Sequence, residues 1–254
     1  MSAKLAPTAT PSLDPAEWEL RCDLAAAYRL VARFGMDDLI FTHLSVRLPG
    51  AGDRFLINPY GFMFDEITAS NLVEVDAEGM PAKGAEATVN PAGFVIHSAI
   101  HRARADAHCV MHTHTLAGMA VAALEEGLLP LNQMSMEFYG HLARHPYEGI
   151  ADDLSERERL VADLGSANAM LLANHGLLTL GRTVAEAFYY MYYLEQSCRI
   201  QVAAMSTGGR LSLPSPEVCA HAAGQFGRGS PTKGQRPWAA LRRRLDREAP
   251  DYRS

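Results

Sequence analysis

Leu20, Leu24, Ala27, Tyr28 and Val31 recur at the three-and-four spacing of a helix with one apolar face, and the pattern stops at Gly35. Asp14 and Pro15 have the character of an N-cap and a first helical residue, and Glu17 stands at capping-box spacing, so a helix is predicted from Asp14 onward. The period then shortens to that of strands. LSVRL (44–48), RFLIN (54–58) and LVEVD (72–76) are separated by Pro49-Gly50, by the turn Asn58-Pro59-Tyr60-Gly61 and by Asp76 to Gly79, which predicts hairpin-connected, antiparallel pairing.

From Asn90 the pattern predicts a helix to about Arg104, then the strand AHCVMHTH (107–114) and the small-residue helix LAGMAVAAL (116–124). A further strand, AMLLA (169–173), runs into Asn174-His175-Gly176 and LLTLG; Thr183 caps a long helix to about Ala204, and a last helix surrounds Trp238 to Asp246. Residues 1–12, rich in Ala, Pro, Thr and Ser without an apolar period, are expected to form a disordered leader. Residues 13–205 are read as one folded domain and 206–254 as a C-terminal tail, with helices flanking a mostly antiparallel sheet in an α/β, three-layer arrangement.

At 254 residues, 48% hydrophobic and 20% charged, the chain has ample material for a core, which excludes disorder and collagen-like repeats. No run approaches the ~18 apolar residues of a membrane span, and the start carries no secretory pattern, so no membrane association and a cytoplasmic location are expected. Cys22, Cys109, Cys198 and Cys219 are far apart and form no Cys-x-x-Cys pair. The net charge of -6 divides into +5 for residues 225–254 and -11 for the rest. An acidic body argues against a nucleic-acid partner, and the basic tail is expected to dock on its own domain or a neighbouring subunit.

The histidines carry the candidate chemistry. His112 and His114 alternate within a strand pattern and so share one face, about 6.5–7 Å apart. Two imidazoles leave a divalent ion under-coordinated, and His175, in a turn just past a buried strand, is the best third ligand. Three neutral rings suit an open catalytic site for zinc, with manganese or iron as other possibilities.

GFVIHSAIHRARADAHCVMHTHT (93–115), ANHGLLTLG (173–181), TVAEAFYYMYYLEQSCRIQ (183–201), FTHLSVRL (41–48) and FLINPYGF (55–62) together resemble the class II aldolase/adducin family over about residues 20–205. The resemblance implies a three-layer α/β/α sandwich, a homotetramer with sites at subunit interfaces, and His112, His114 and His175 as the metal ligands. It also reveals departures. The acid of the sugar-phosphate aldolases falls on Gly93, the serines before it on Pro91 and Ala92, and the Thr-Pro-Thr-Gly phosphate turn becomes Asn58-Pro59-Tyr60-Gly61. The Gly-Asn-x-Ser loop is reduced to Thr42-His43-Leu44-Ser45. With hydroxyl donors lost, a phosphorylated sugar is not the expected substrate.

Against that family pattern, Glu137 and Tyr147 are the candidate proton-transfer groups, and His43, Asn58, Gly61 and His97 the candidate substrate contacts. His97 and His101, four apart on a helix, lack the Glu-x-x spacing of a zinc protease. Phe188, Tyr189, Tyr192 and Tyr193 read as a core or oligomer face, and no nucleotide-binding or serine-hydrolase motif is present. The expected function is a divalent-metal-dependent lyase, by retro-aldol cleavage or decarboxylation, acting on a small non-phosphorylated oxo, hydroxy or aromatic carboxylic acid. A non-haem iron oxygenase using the same histidines and a non-catalytic adducin-like binding module are the alternatives.

Overall fold

A computed structural model describes residues 14–50, 52–82, 88–149, 155–227 and 229–254; the expected leader at 1–12 lies outside them. Helix α1 (Pro15–Arg33) starts where Asp14 Oδ1 accepts a hydrogen bond from the Ala16 N–H at 3.0 Å. Glu17 does not close a capping box. Its carboxylate accepts from Arg21 Nε at 2.9 Å, since an arginine one turn on offers a charged donor in place of the Asp14 amide.

Seven strands form one sheet in the order β3-β2-β1-β4-β7-β6-β5. They are β1 (His43–Arg47), β2 (Phe55–Ile57), β3 (Val73–Val75), β4 (Cys109–Thr113), β5 (Leu142–His145), β6 (Ala169–Leu172) and β7 (Gly176–Gly181). Every neighbouring pair is antiparallel except β5 beside β6. The edge strand β5 escapes the sequence reading because Leu-Ala-Arg-His has no apolar alternation. Helices α4 (Glu156–Leu164) and α6 (Pro216–Gln225) were likewise not expected from the pattern, each burying only two apolar side chains.

Helices α1, α3 (Leu116–Ala122) and α5 (Val184–Ser206) cover one face of the sheet, and α2 (Pro91–Ala103) with α4 covers the other, giving a three-layer α/β/α sandwich. Strand alternation decides which side chain enters which layer. Cys109 and Met111 of β4 join the core under α1 and α5, whereas Val110 joins Ile96, Ile100, Leu160 and Leu164 under α2 and α4. His112 has the parity of Val110 and so belongs to the second side. Among the described residues no helix is long and apolar enough to cross a membrane.

The basic tail lies on α1 of its own chain. In α7 (Gln235–Glu248), Trp238 and Leu245 are buried in the core, Trp238 Nε1 donates to Asp23 at 3.0 Å, and Arg242 meets Glu19 and Asp23, each at 2.5 Å.

Two buried polar ties hold the sheet's surroundings in place. The Tyr28 hydroxyl accepts from the Leu44 N–H at 2.8 Å and shares its single proton between Leu44 O at 2.6 Å and Asn58 Oδ1 at 2.8 Å. On the opposite face, His101 Nδ1 lies 2.7 Å from Ala107 O, and Ser45 Oγ bridges His101 Nε2 at 2.8 Å and His97 Nδ1 at 2.7 Å. A carbonyl only accepts, so His101 carries its hydrogen on Nδ1, Ser45 donates to His101 Nε2, and His97 Nδ1–H donates to Ser45. The string has one direction.

Replacing Tyr28→Phe strands buried partners and should cost about 1–3 kcal/mol, read as a lower urea midpoint. Burial pushes the His101 imidazole down to about 3 from 6.5. On unfolding, this residue takes up a proton below pH 6.5, so its contribution to stability is present above that pH and is lost as pH falls toward the folded value. The pH slope of stability between pH 6 and 4.5 should therefore be shallower in His101→Gln than in the parent, by up to about 1.4 kcal/mol per pH unit.

Candidate metal centre

The rings of His112, His114 and His175 meet with centroids 4.7 Å (112–114), 4.7 Å (112–175) and 4.8 Å (114–175) apart. One nitrogen from each lies within 4.8 Å of the others. His112 sits in the middle of the sheet, its strand paired with β1 on one side and β7 on the other. His114 lies one residue past the end of β4, where Thr115 caps α3 through a hydrogen bond from the Gly118 N–H at 3.2 Å.

His175 arrives from the three-residue connection between β6 and β7. Asn174 takes a left-handed φ of 55°, a conformation asparagine tolerates, and the His175 N–H closes the turn onto Leu172 O at 3.0 Å. Gly176 then passes under the site with no room for a side chain. A Cβ there would stand 2.4 Å from Thr113 O and 3.4 Å from the His112 ring. The glycine after His175 is thus required by close approach rather than by φ.

The hydrogen-bond partners decide which nitrogens face inward. His112 Nδ1 is 2.9 Å from Leu177 O, and His114 Nδ1 is 3.0 Å from Asp38 Oδ2. Carbonyl and carboxylate accept only, so both rings carry hydrogen on Nδ1 and turn Nε2 inward. Those two Nε2 atoms stand 2.9 Å apart. Two ring nitrogens at that distance need a proton or a metal ion between them, and with His175 alongside they can serve as two ligands of one ion. Burial, with His175, His114 and His43 alongside, holds His112 well below the ordinary imidazole range, and burial with His114 alongside lowers His175 to about 4. His112 and His175 are therefore held neutral, as metal ligands must be.

The other sequence-derived candidates fall in several places. His43 is opposite His112 in the β1–β4 register, its ring 5.6 Å from that of His112 and 4.2 Å from that of His97. His97 has no exposed surface, so the structure makes it a neighbour behind His43 instead of a substrate contact. Burial and the surrounding imidazoles hold it well below the ordinary range. The Asn58 amide is buried against Tyr28, which commits it to the fold, and Gly61 occupies an exposed turn with φ of 96°. Tyr147 lies beside His175 on the rim of a narrow cleft, with more than half of its surface exposed. Glu137 is buried elsewhere: it pairs with Lys233 at 2.9 Å and accepts from the Tyr189 hydroxyl at 3.2 Å. An internal ion pair with the C-terminal segment replaces the expected proton-transfer position.

Asp38 was missed by the sequence reading. It orients His114 from a turn after α1, 76 residues upstream, and no spacing rule connects the two. The Leu177 carbonyl was equally hidden, since a backbone acceptor has no residue-type signal.

A family model described as the class II aldolase and adducin N-terminal domain matches residues 22–202. The crystal structure of an aldolase II superfamily protein from Pseudomonas syringae is 51% identical, with a TM-score of 0.90 over 96% of this chain and 98% of that one. An L-fuculose 1-phosphate aldolase from Glaciozyma antarctica PI12 is 32% identical, with a TM-score of 0.83 over 98% and 97% of the two chains. Alpha-adducin of Rattus norvegicus is 40% identical over 92% of this chain and 34% of its own length. With the three-layer fold and the three converging imidazoles, these likenesses establish that the chain belongs to the class II aldolase/adducin family.

Proposed function

We propose that the protein is a divalent-metal-dependent carbon–carbon lyase acting on a small, non-phosphorylated oxo, hydroxy or aromatic carboxylic acid. The opposed Nε2 atoms of His112 and His114, 2.9 Å apart with both Nδ1 atoms committed elsewhere, carry this reading. His112, His114 and His175 would hold the ion, zinc being the best match to three neutral imidazoles. When bound, such an ion supplies Lewis-acid stabilisation of the negative charge that develops as a C–C bond breaks.

This chain's own residues do the rest. Asp38 and the Leu177 carbonyl fix the two rings through their Nδ1 hydrogens, raising the basicity of the nitrogens that face inward. The preference for a non-phosphorylated acid rests on the turn at 58–61. There Asn58 is spent on Tyr28, Tyr60 brings an aromatic ring, and the phosphate-binding hydroxyls are absent. L-fuculose 1-phosphate is therefore not carried over as the substrate. A homotetramer, as the family resemblance implies, and a cytoplasmic location complete the proposal. The likeness to alpha-adducin favours a second reading, a binding module without turnover.

His112→Ala should abolish stoichiometric zinc or manganese binding, measured by elemental analysis after dialysis, with the fold kept. Asp38→Asn should weaken binding by about 10–100-fold. Purified protein loaded with Zn, Mn or Fe should cleave at least one member of a panel of oxo acids and hydroxybenzoates without oxygen. Turnover only with Fe(II) and O2 would replace the lyase by the oxygenase. Full metal loading with no turnover across the panel would leave the binding module.

A further inference from the structure

The site needs a group that takes and returns a proton, and Gly93 removes the carboxylate that the sugar-phosphate aldolases place there. A different residue has the geometry. His145 ends β5, opposite Leu172 of β6, and its carbonyl accepts from the Ala173 N–H at 2.9 Å, so its backbone anchors the turn that carries His175. The side chain is 2% exposed. Its Nδ1 lies 2.7 Å from Asp163 Oδ2 of α4. Since an ionised carboxylate only accepts, the ring carries a hydrogen on Nδ1.

That Nε2 is buried without a hydrogen-bond partner among the described residues; the Glu156 carboxylate stands 3.4 Å away. His145, Tyr147, Glu156 and His175 together line a narrow cleft with about 10 Å³ of space, enough for about one water molecule. A histidine oriented through Nδ1 by one carboxylate, its Nε2 without a hydrogen bond but within ion-pair distance of a second, and a metal ligand on the same cleft, is an arrangement suited to general acid–base machinery.

We propose that His145 is the proton acceptor and donor of this site and that Asp163 is its positioning residue, an inference that rests on the lyase reading. In retro-aldol cleavage the substrate hydroxyl proton passes through the cleft water to Nε2. The O–H electron pair becomes the new C=O bond, and the pair of the breaking C–C bond remains on the other fragment as an enolate. The imidazolium so formed is balanced by Asp163 and Glu156, and its proton then returns to the enolate carbon. Nothing is oxidised or reduced. Tyr147, half exposed on the same rim, is placed to contact the substrate.

The test uses the zinc-loaded full chain and pyruvate as the probe, following exchange of its methyl protons into D2O by NMR. The parent protein should catalyse exchange; His145→Gln should slow it by about 100-fold or more, with zinc content and pyruvate affinity unchanged. Asp163→Asn, altering a partly exposed side chain, should slow it at least tenfold while leaving the fold intact, and added imidazole should partly restore His145→Ala. In the metal-free protein, nitrogen-15 NMR should find the hydrogen of His145 on Nδ1. Exchange at the parental rate in His145→Gln, or in Asp163→Asn should the glutamine variant not fold, overturns the role of His145 and leaves the lyase reading standing. A hydrogen found on Nε2 overturns it as well. A parent that binds zinc and pyruvate yet exchanges no faster than free zinc overturns both.

Discussion

Two inward-turned ring nitrogens held 2.9 Å apart by partners that take each ring's Nδ1 hydrogen are the constraint around which this protein is arranged. Left to themselves, His112 and His114 would be free to turn one ring or to move its Nδ1 hydrogen to the other nitrogen. The Leu177 carbonyl and the Asp38 carboxylate prevent both, because each needs the Nδ1 hydrogen that it already receives. Leu177 can do so only because β7 pairs with β4, and β7 can approach only because position 176 is glycine. A substitution there would displace the strand that supplies the acceptor. The site and the sheet are one piece of engineering in that sense, the central strand pair fixing both register and tautomer.

Burial supplies the second condition. His97, His101 and His112 form a file between α2 and the sheet with His43 among them, and removal from water disfavours a charge on each of the three. The Ser45 bridge gives that file a direction, beginning at the Ala107 carbonyl and ending at the His97 ring. On the other face, Tyr28 ties α1 to β1 and to the Asn58 turn, and the C-terminal arginines close over α1. An asparagine and a glutamate that resemble pocket residues in sequence, Asn58 and Glu137, are consumed by such internal ties.

Most of the layered fold was legible in the sequence, because it follows from local periodicity. The 3.6-residue repeat from Leu20 to Val31, the Thr183 cap and the alternation through 107–114 each mark an element whose apolar face must be covered, and the matched segments joined them into one architecture. The alternation also put His112 and His114 on one face, and the Asn-His-Gly turn singled out His175. Where burial is slight, as in β5 or α6, the pattern has no signal to offer.

Only the tertiary structure decided what surrounds those histidines. Asp38 and His114 are 76 residues apart, Asp163 and His145 are 18 apart, and Glu137 and Lys233 are 96 apart; none of these separations is a period of helix or strand. Residue type says that a side chain can donate or accept. Which partner it finds, which ring nitrogen keeps the hydrogen and which carboxylate is left for chemistry depend on how distant segments pack, and that is settled by the whole chain's burial of its apolar faces rather than by any local stretch of it.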